Sequence, residues 1–385
     1  MRNATKRAAQ RPITQGRGTD LNSKAKIPFV LALAGLGLTI WVATALGGAV
    51  KKYPDWTIRP ASSSAQNHEG EISYPVRNLA EGSWTLKKSA DDGRSTKLVS
   101  GEDTGEWLNA ETPFAEVFGP TGPGQPEVSQ DKALSVRVDS TGSNDTIAYA
   151  TYEFSKPMPA KSFGFALVDI DVDSAYLTAE DGKGREVSGS DLRGNVFNFC
   201  DFGAPADDCN ANPDRSTPTW NPNANGGLLD GGSNRETAGA VGWFHPTVGI
   251  SRLKIRFKGG PSAGTPSYRT WFSVRANPIG GKVTTVKDKP VAGAKLFLIG
   301  PDGDALDEAI SGEGGKFDFE GNWSLNDGYR VKMVPPSGWK VVGKANKSAD
   351  NVEDPGFAPF QLKRPSGPKP SPGPSPKPRP KPVTG

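Results

Sequence analysis

The chain is short of the side chains that carry most protein chemistry. Its 385 residues include two histidines, two cysteines and three methionines. With no H-E-x-x-H, no G-x-S-x-G and no cysteine far from a partner, neither a zinc protease site nor a Ser-His-Asp triad can be assembled. Carboxylate pairs of the kind used in glycoside hydrolysis occur in any acidic domain, so they decide nothing. The expectation is a protein that is not an enzyme. Positive charge is also missing from the middle of the chain. The formal net charge is +4, yet setting aside the residues before 51 and those from Lys363 onward leaves 33 basic against 41 acidic side chains. A nucleic-acid binder concentrates positive charge on its fold, so DNA and RNA are not expected partners.

Long apolar runs are as scarce, with one exception. IPFVLALAGLGLTIWVATALGGAV (27–50) has 24 residues without a charge. As a helix at ~1.5 Å per residue it exceeds the ~30 Å hydrocarbon core of a bilayer. Seven basic residues and one acid, Asp20, precede it, which keeps a basic leader (1–26) in the cytoplasm and sends the rest outward. Ala43-Thr44-Ala45 also offers an A-x-A cleavage site, so 27–50 reads either as a retained single-pass anchor or as a secretory signal. In an exported chain Cys200 and Cys209, the two ends of a ten-residue loop, read as a disulfide.

What is abundant is glycine (47), proline (34), phenylalanine (17) and tryptophan (9). That mixture favours short strands and turns, with enough bulky side chains for real cores. Residues 51–68 are polar and small and read as a linker. From 69 to 277 apolar runs recur between turns, as in SRLKIRFKGG (251–260), where Leu253, Ile255 and Phe257 alternate with Lys254, Arg256 and Lys258. No helical period is sustained there, so an all-β sandwich is expected.

Two resemblances refine this reading. FGFALVDIDVDSAYLTAEDGKGREV (163–187), followed by TAGAVGWFHPTVGISRLKIRF (237–257), resembles the β-sandwich modules of secreted and surface proteins of Gram-positive bacteria, especially actinobacteria. It implies a jelly-roll-like sandwich outside the cell. Residues 280–321 and YRVKMVPPSGWKVVG (329–343) are similar to the prealbumin-like repeats of surface adhesins and to carboxypeptidase regulatory-like domains. That implies a small prealbumin-like sandwich at 278–364, with PFQLKR (359–364) as its last strand. Some such domains carry a Lys-Asn isopeptide bond, which needs an asparagine on the last strand, and PFQLKR has none. The tail 365–385 holds nine prolines and reads as a disordered spacer, extending about 65 Å at ~3.1 Å per residue in polyproline II geometry. Its final P-V-T-G is similar to a wall-sorting motif, but Lys381 stands at the leucine position and no apolar segment follows, so covalent wall attachment is not expected.

Asp169, Asp171 and Asp173 alternate in DIDVDS, as carboxylates on one side of a strand would, and are the candidate calcium ligands; no other cofactor is expected. Asp201, Asp207, Asp208 and Trp220 form the candidate ligand-binding loop region. Trp220, Trp243, Phe244 and Trp271 are candidates for stacking on sugar rings, although W-F pairs in strands place at most one member toward water. The functional expectation is a non-catalytic surface binding or adhesion protein, with an envelope spacer or an accessory glycan-processing protein as alternatives. Its partners would be an extracellular glycan, a wall polymer or a host or neighbouring surface protein, and the membrane through 27–50.

Overall fold

The computed structural model describes residues 50–52, 54–59, 67–88, 97–103, 113–118, 133–139, 146–202, 209, 214–232, 239–260, 267–352 and 354–365. The leader, the apolar segment up to residue 49, Asp207, Asp208 and the tail from 366 lie outside these residues. Among the described residues no helix is long and apolar enough to cross a membrane.

The first run of strands is β1 (Val50–Lys52), β2 (Asp55–Arg59), β3 (Asn67–Ser73), β4 (Gly82–Lys88), β5 (Lys97–Asp103), β6 (Ala133–Asp139), β7 (Thr146–Met158) and β8 (Phe163–Val168). There follow β9 (Ser174–Glu180), β10 (Glu186–Val187), β11 (Gly194–Asn198), β12 (Thr219–Asn221), β13 (Leu228–Asp230), β14 (Ala240–Phe244), β15 (Ile250–Lys258) and β16 (Ser267–Asn277). They form two antiparallel sheets. One runs β11-β14-β8-β16-β6-β5 with β1 beside the end of β16; the other runs β12-β13-β9-β15-β7-β4-β3-β2 with β10 beside β9.

Alternation explains how the sheets pack. In β15, Leu253, Ile255 and Phe257 are fully buried while Lys254 is exposed. The expected half-buried strand is what forms. β8, FGFALV, is buried on both faces. Phe163, Phe165 and Leu167 enter the core between the sheets, whereas Ala166 and Val168 face a second cluster with Trp243, Trp271, Phe114 and Phe118. That cluster lies under the short helix α1 (Pro113–Phe118) and a 3-10 turn, Phe199–Phe202. Gly164 makes the contact with α1 possible: a Cβ there would sit 2.3 Å from the Phe118 ring. Under this roof neither member of either W-F pair faces water: Trp243 and Trp271 are buried beneath it while Phe244 and Phe272 fill the main core.

The linker expected at 51–68 is a second correction. It contributes to β1 and holds all of β2 and the start of β3, because Trp56 alternates into the core against Tyr152 and Phe272.

The remaining strands are β17 (Ile279–Thr285), β18 (Lys295–Ile299), β19 (Ala305–Ile310), β20 (Lys316–Asp318), β21 (Trp323–Ser324), β22 (Arg330–Val334), β23 (Lys340–Val342), β24 (Asn346–Ser348) and β25 (Gly356–Lys363). Two four-stranded sheets, β20-β17-β25-β23 and β19-β18-β22-β24, enclose a separate core that includes Phe317, Phe319, Tyr329, Val331, Met333 and Phe360. β17 and β25 pair in parallel.

No free linker separates the two sandwiches. β16 passes into β17 through Pro278 alone, and β21 crosses back to pair with β16, Ala276 opposite Ser324 and Asn277 opposite Trp323. Arg77, from the connection after β3, donates its backbone N–H to the Asn322 carbonyl at 2.9 Å and accepts from the Ser324 amide at 3.2 Å. Its guanidinium lies 5.8 Å from the centre of the Trp323 ring and 3.1 Å from the Glu320 carboxylate. Asn351, fully buried, donates to the carbonyls of Asn277, Trp323 and Ser324, and Asn277 returns a bond of 2.8 Å to the Asn351 carbonyl.

Candidate functional site

The cysteines are joined, Cys200 to Cys209, and both are buried against the second cluster with Phe197 and Phe199. The bridge therefore ties down the roof over the eight-stranded sheet. Converting both cysteines to serine is expected to lower stability by roughly 2–3 kcal/mol, the loop-closure value for a span of this length. Thermal melting of the oxidised wild type against the double variant checks this, and an unchanged midpoint would contradict it. Asp201, exposed beside the bridge, lies 3.8 Å from Arg215, which also donates to the Cys200 carbonyl at 2.8 Å.

Trp220 is half-buried. Its ring meets Phe244 edge-on at 5.0 Å, and a Cβ on Gly227 or Gly194 would fall within 1.9 and 2.8 Å of it. β12 turns the side chain inward opposite Leu229, so it packs on the core.

The three aspartates do not alternate along a strand. They occupy the connection between β8 and β9, where Asp169 takes a left-handed conformation (φ 70°). Asp171 and Asp173 are buried; Asp171 accepts from the Val172 amide and Asp173 from the Gly260 amide, each at 2.7 Å. The Asp173 carboxylate ties this connection to the end of β15, whereas the Asp171 bond is local to its own turn. Among the described residues no group of three or more His, Cys, Asp or Glu is disposed to hold a metal ion.

Burial pushes Asp173 up from its ordinary 3.8 to about 7, with the Gly260 amide opposing and the charges of Asp171 and Asp169 adding to the rise. Burial, then the neighbouring Asp173, raises the fully buried Tyr268 phenol well above its usual range. A raised carboxyl means that the folded state holds its proton more tightly than the unfolded chain does. Stability from this group is therefore fully present below about pH 4 and is lost as pH climbs to about 7. Asp173→Asn is expected to remove that decline, worth up to roughly 4 kcal/mol over the window. Denaturation at pH 5 and pH 8 tests it; an equal fall in both proteins would assign the slope elsewhere.

Sequence reasoning missed an open, acidic depression of about 520 Å³ lined by Asp55, Glu71, Glu81 and Glu153 among others. Its carboxylates come from β2, β3, β7 and the approach to β4, and only strand register brings them together. His245 packs edge-on to Phe118 at 5.1 Å, and burial lowers its pKa.

No family model matches the chain. No curated protein matches it either. Solved structures with some similarity include the T6 backbone pilin of serotype M6 Streptococcus pyogenes, 11% identical over 79% of this chain and 78% of that one, with a TM-score of 0.18. The Bacillus anthracis TIE protein is 11% identical over 81% of this chain and 58% of that one, TM-score 0.20. BcpA, the major pilin subunit of Bacillus cereus, is 8% identical over 84% and 96%, TM-score 0.18.

Proposed function

We propose that the chain is a non-catalytic protein of the Gram-positive cell surface that binds an extracellular partner. The larger, jelly-roll-like sandwich follows the membrane segment 27–50 directly in the chain, and the prealbumin-like sandwich after it serves as a rigid, stalk-like extension. The junction carries the reading. An extension that does not swing gives the exported protein one fixed outline: β21 and Arg77 join the two bodies by backbone hydrogen bonds, and the Asn351 side chain adds bonds to the Asn277 and Trp323 carbonyls. The basic leader followed by one apolar run, and the disulfide, fit an exported location.

The same junction would suit an envelope spacer with no ligand, so the two readings part on whether the larger sandwich binds anything. Location is tested first, by treating intact cells with a membrane-impermeant amine label and measuring the intact mass of the native protein. Labelling of the full-length chain without lysis is the expected result. Labelling only after lysis would overturn the surface assignment, and a chain starting near Leu46 in the medium would overturn the anchor.

A further inference from the structure

The outer face of the nine-stranded sheet carries an ordered set of cations. β15 places Arg252, Lys254, Arg256 and Lys258 at alternate positions, ~7 Å apart along the strand. Arg252 is held by Glu153 at 3.1 Å and Glu180 at 3.4 Å. The next two are held differently. The Arg256 guanidinium lies 4.0 Å from the centre of the Tyr176 ring on β9, and the Lys254 ammonium 4.7 Å from that of Tyr149 on β7. Cross-strand register lines up Tyr176, Arg256, Tyr149 and Lys87 in one row, and Thr178, Lys254, Thr151 and Thr85 in the next.

Among the described residues no carboxylate is within ion-pair distance of Lys254, Arg256, Lys258 or Lys87. The acids of this face have other partners or stand beyond ion-pair distance of these four cations. Asp230 accepts from Ser174 at the Lys258 end, Glu180 and Glu186 line a small depression beside Lys254, and Glu69 and Glu71 are taken by Arg59.

A cation resting on an aromatic ring is restrained but not neutralised. It therefore loses less side-chain freedom when an anion arrives and meets it with full charge. Each of the two tyrosine rings already carries one of these cations, which a sugar ring or a base would have to displace to stack on that side. What the surface offers is a line of positive charge with threonine hydroxyls beside it, on a flat sheet. We propose that this face docks a linear phosphodiester-linked polyol polymer of the cell wall, laid along β15 with successive phosphates on Lys258, Arg256 and Lys254. The charges of such a chain recur along a flexible backbone, and it needs hydroxyl partners but no stacking.

The inference deepens the surface-binding reading and rests on it for the source of the polymer. The two fail separately, because exposure is read in cells and docking with purified components. Full-length protein in nonionic detergent is titrated with poly(glycerol phosphate) at low and high salt. The triple variant Lys254→Gln, Arg256→Gln, Lys258→Gln, with the basic tail intact, is expected to bind on the order of tenfold more weakly and to lose much of the salt dependence. Tyr176→Ala, which keeps every cation, is expected to weaken binding severalfold through Arg256. Melting curves establish that the variants fold, and the single variant Lys254→Gln, expected to weaken binding several-fold, replaces the triple one if it does not. Unchanged binding by the variant under test would overturn the proposal by placing the polymer on the tail. Equal affinity for neutral dextran or single-stranded DNA, or tighter binding to anionic lipid vesicles, would also overturn it.

Discussion

Phe272→Ala is expected to destabilise the larger sandwich by about 3–5 kcal/mol, the usual range for truncating a fully buried aromatic side chain. The ring is a hub. It meets Tyr152 at 4.7 Å, Phe163 at 5.3 Å, Trp56 at 5.5 Å, Phe165 at 6.1 Å and Phe154 at 6.2 Å, drawing on both sheets and on the N-terminal strand β2. None of these neighbours can collapse into the space without giving up its own contacts, so the site relaxes poorly and the cavity contributes to the loss. Against the 5–15 kcal/mol that holds a typical domain together, this is a large fraction of the total. The matched control is Phe357→Ala, which removes a ring that is 53% exposed on β25 and is expected to change stability by no more than about 0.5 kcal/mol. Urea unfolding of the three proteins makes the comparison. A loss below about 1 kcal/mol at Phe272 would mean that the two sheets are not keyed through this cluster.

Strands with one wet face were legible because their periodicity is written in residue type. β15 and β22 alternate apolar and polar side chains, and they lie as the alternation requires. Strands covered on both sides were harder to place. In β8 and β14 the outward residues are apolar too, and nothing local says that α1 and the disulfide turn will roof them. The candidate site suffered from the same blindness. Asp169, Asp171 and Asp173 satisfy a strand period, but the left-handed backbone at Asp169 ends the strand at Val168; buried Asp171 then bonds within its own turn and buried Asp173 fastens the connection to Gly260. Trp220 looked like a free aromatic in a loop, whereas β12, three residues long, is enough to turn it inward. The cation row of β15 was visible as a sequence pattern. Its partners Tyr149 and Tyr176 lie on other strands and could be found only from register.

The junction was the least legible feature, and it yields the second large effect. β21 is two residues long, and Trp323 meets Arg77 across 246 positions of sequence. Trp323 is buried, packs edge-on to Tyr329 at 6.3 Å and belongs to the core of the smaller sandwich while its backbone pairs with β16 of the larger one. Trp323→Ala is therefore expected to do two things at once: destabilise the smaller sandwich by about 3–5 kcal/mol and loosen its hold on the larger one. Tyr329→Phe separates them. It removes only a hydroxyl, which accepts from Asn78 at 2.9 Å and lies 3.0 Å from the Ser324 hydroxyl, and is expected to cost about 1 kcal/mol while leaving the apolar packing in place. Spin labels on Glu71→Cys and Lys332→Cys, both exposed and on different sandwiches, report the relative motion directly. A narrow distance distribution is expected in the parent protein and in Tyr329→Phe, and a broad one in Trp323→Ala under conditions where both sandwiches remain folded. If the parent distribution is already broad, the paired backbone at β16 and β21 does not fix the two bodies, and the stalk reading falls with it. If it stays narrow in Trp323→Ala, the hydrogen bonds from Arg77 and Asn351 hold the junction without the ring, and the indole serves the smaller core alone.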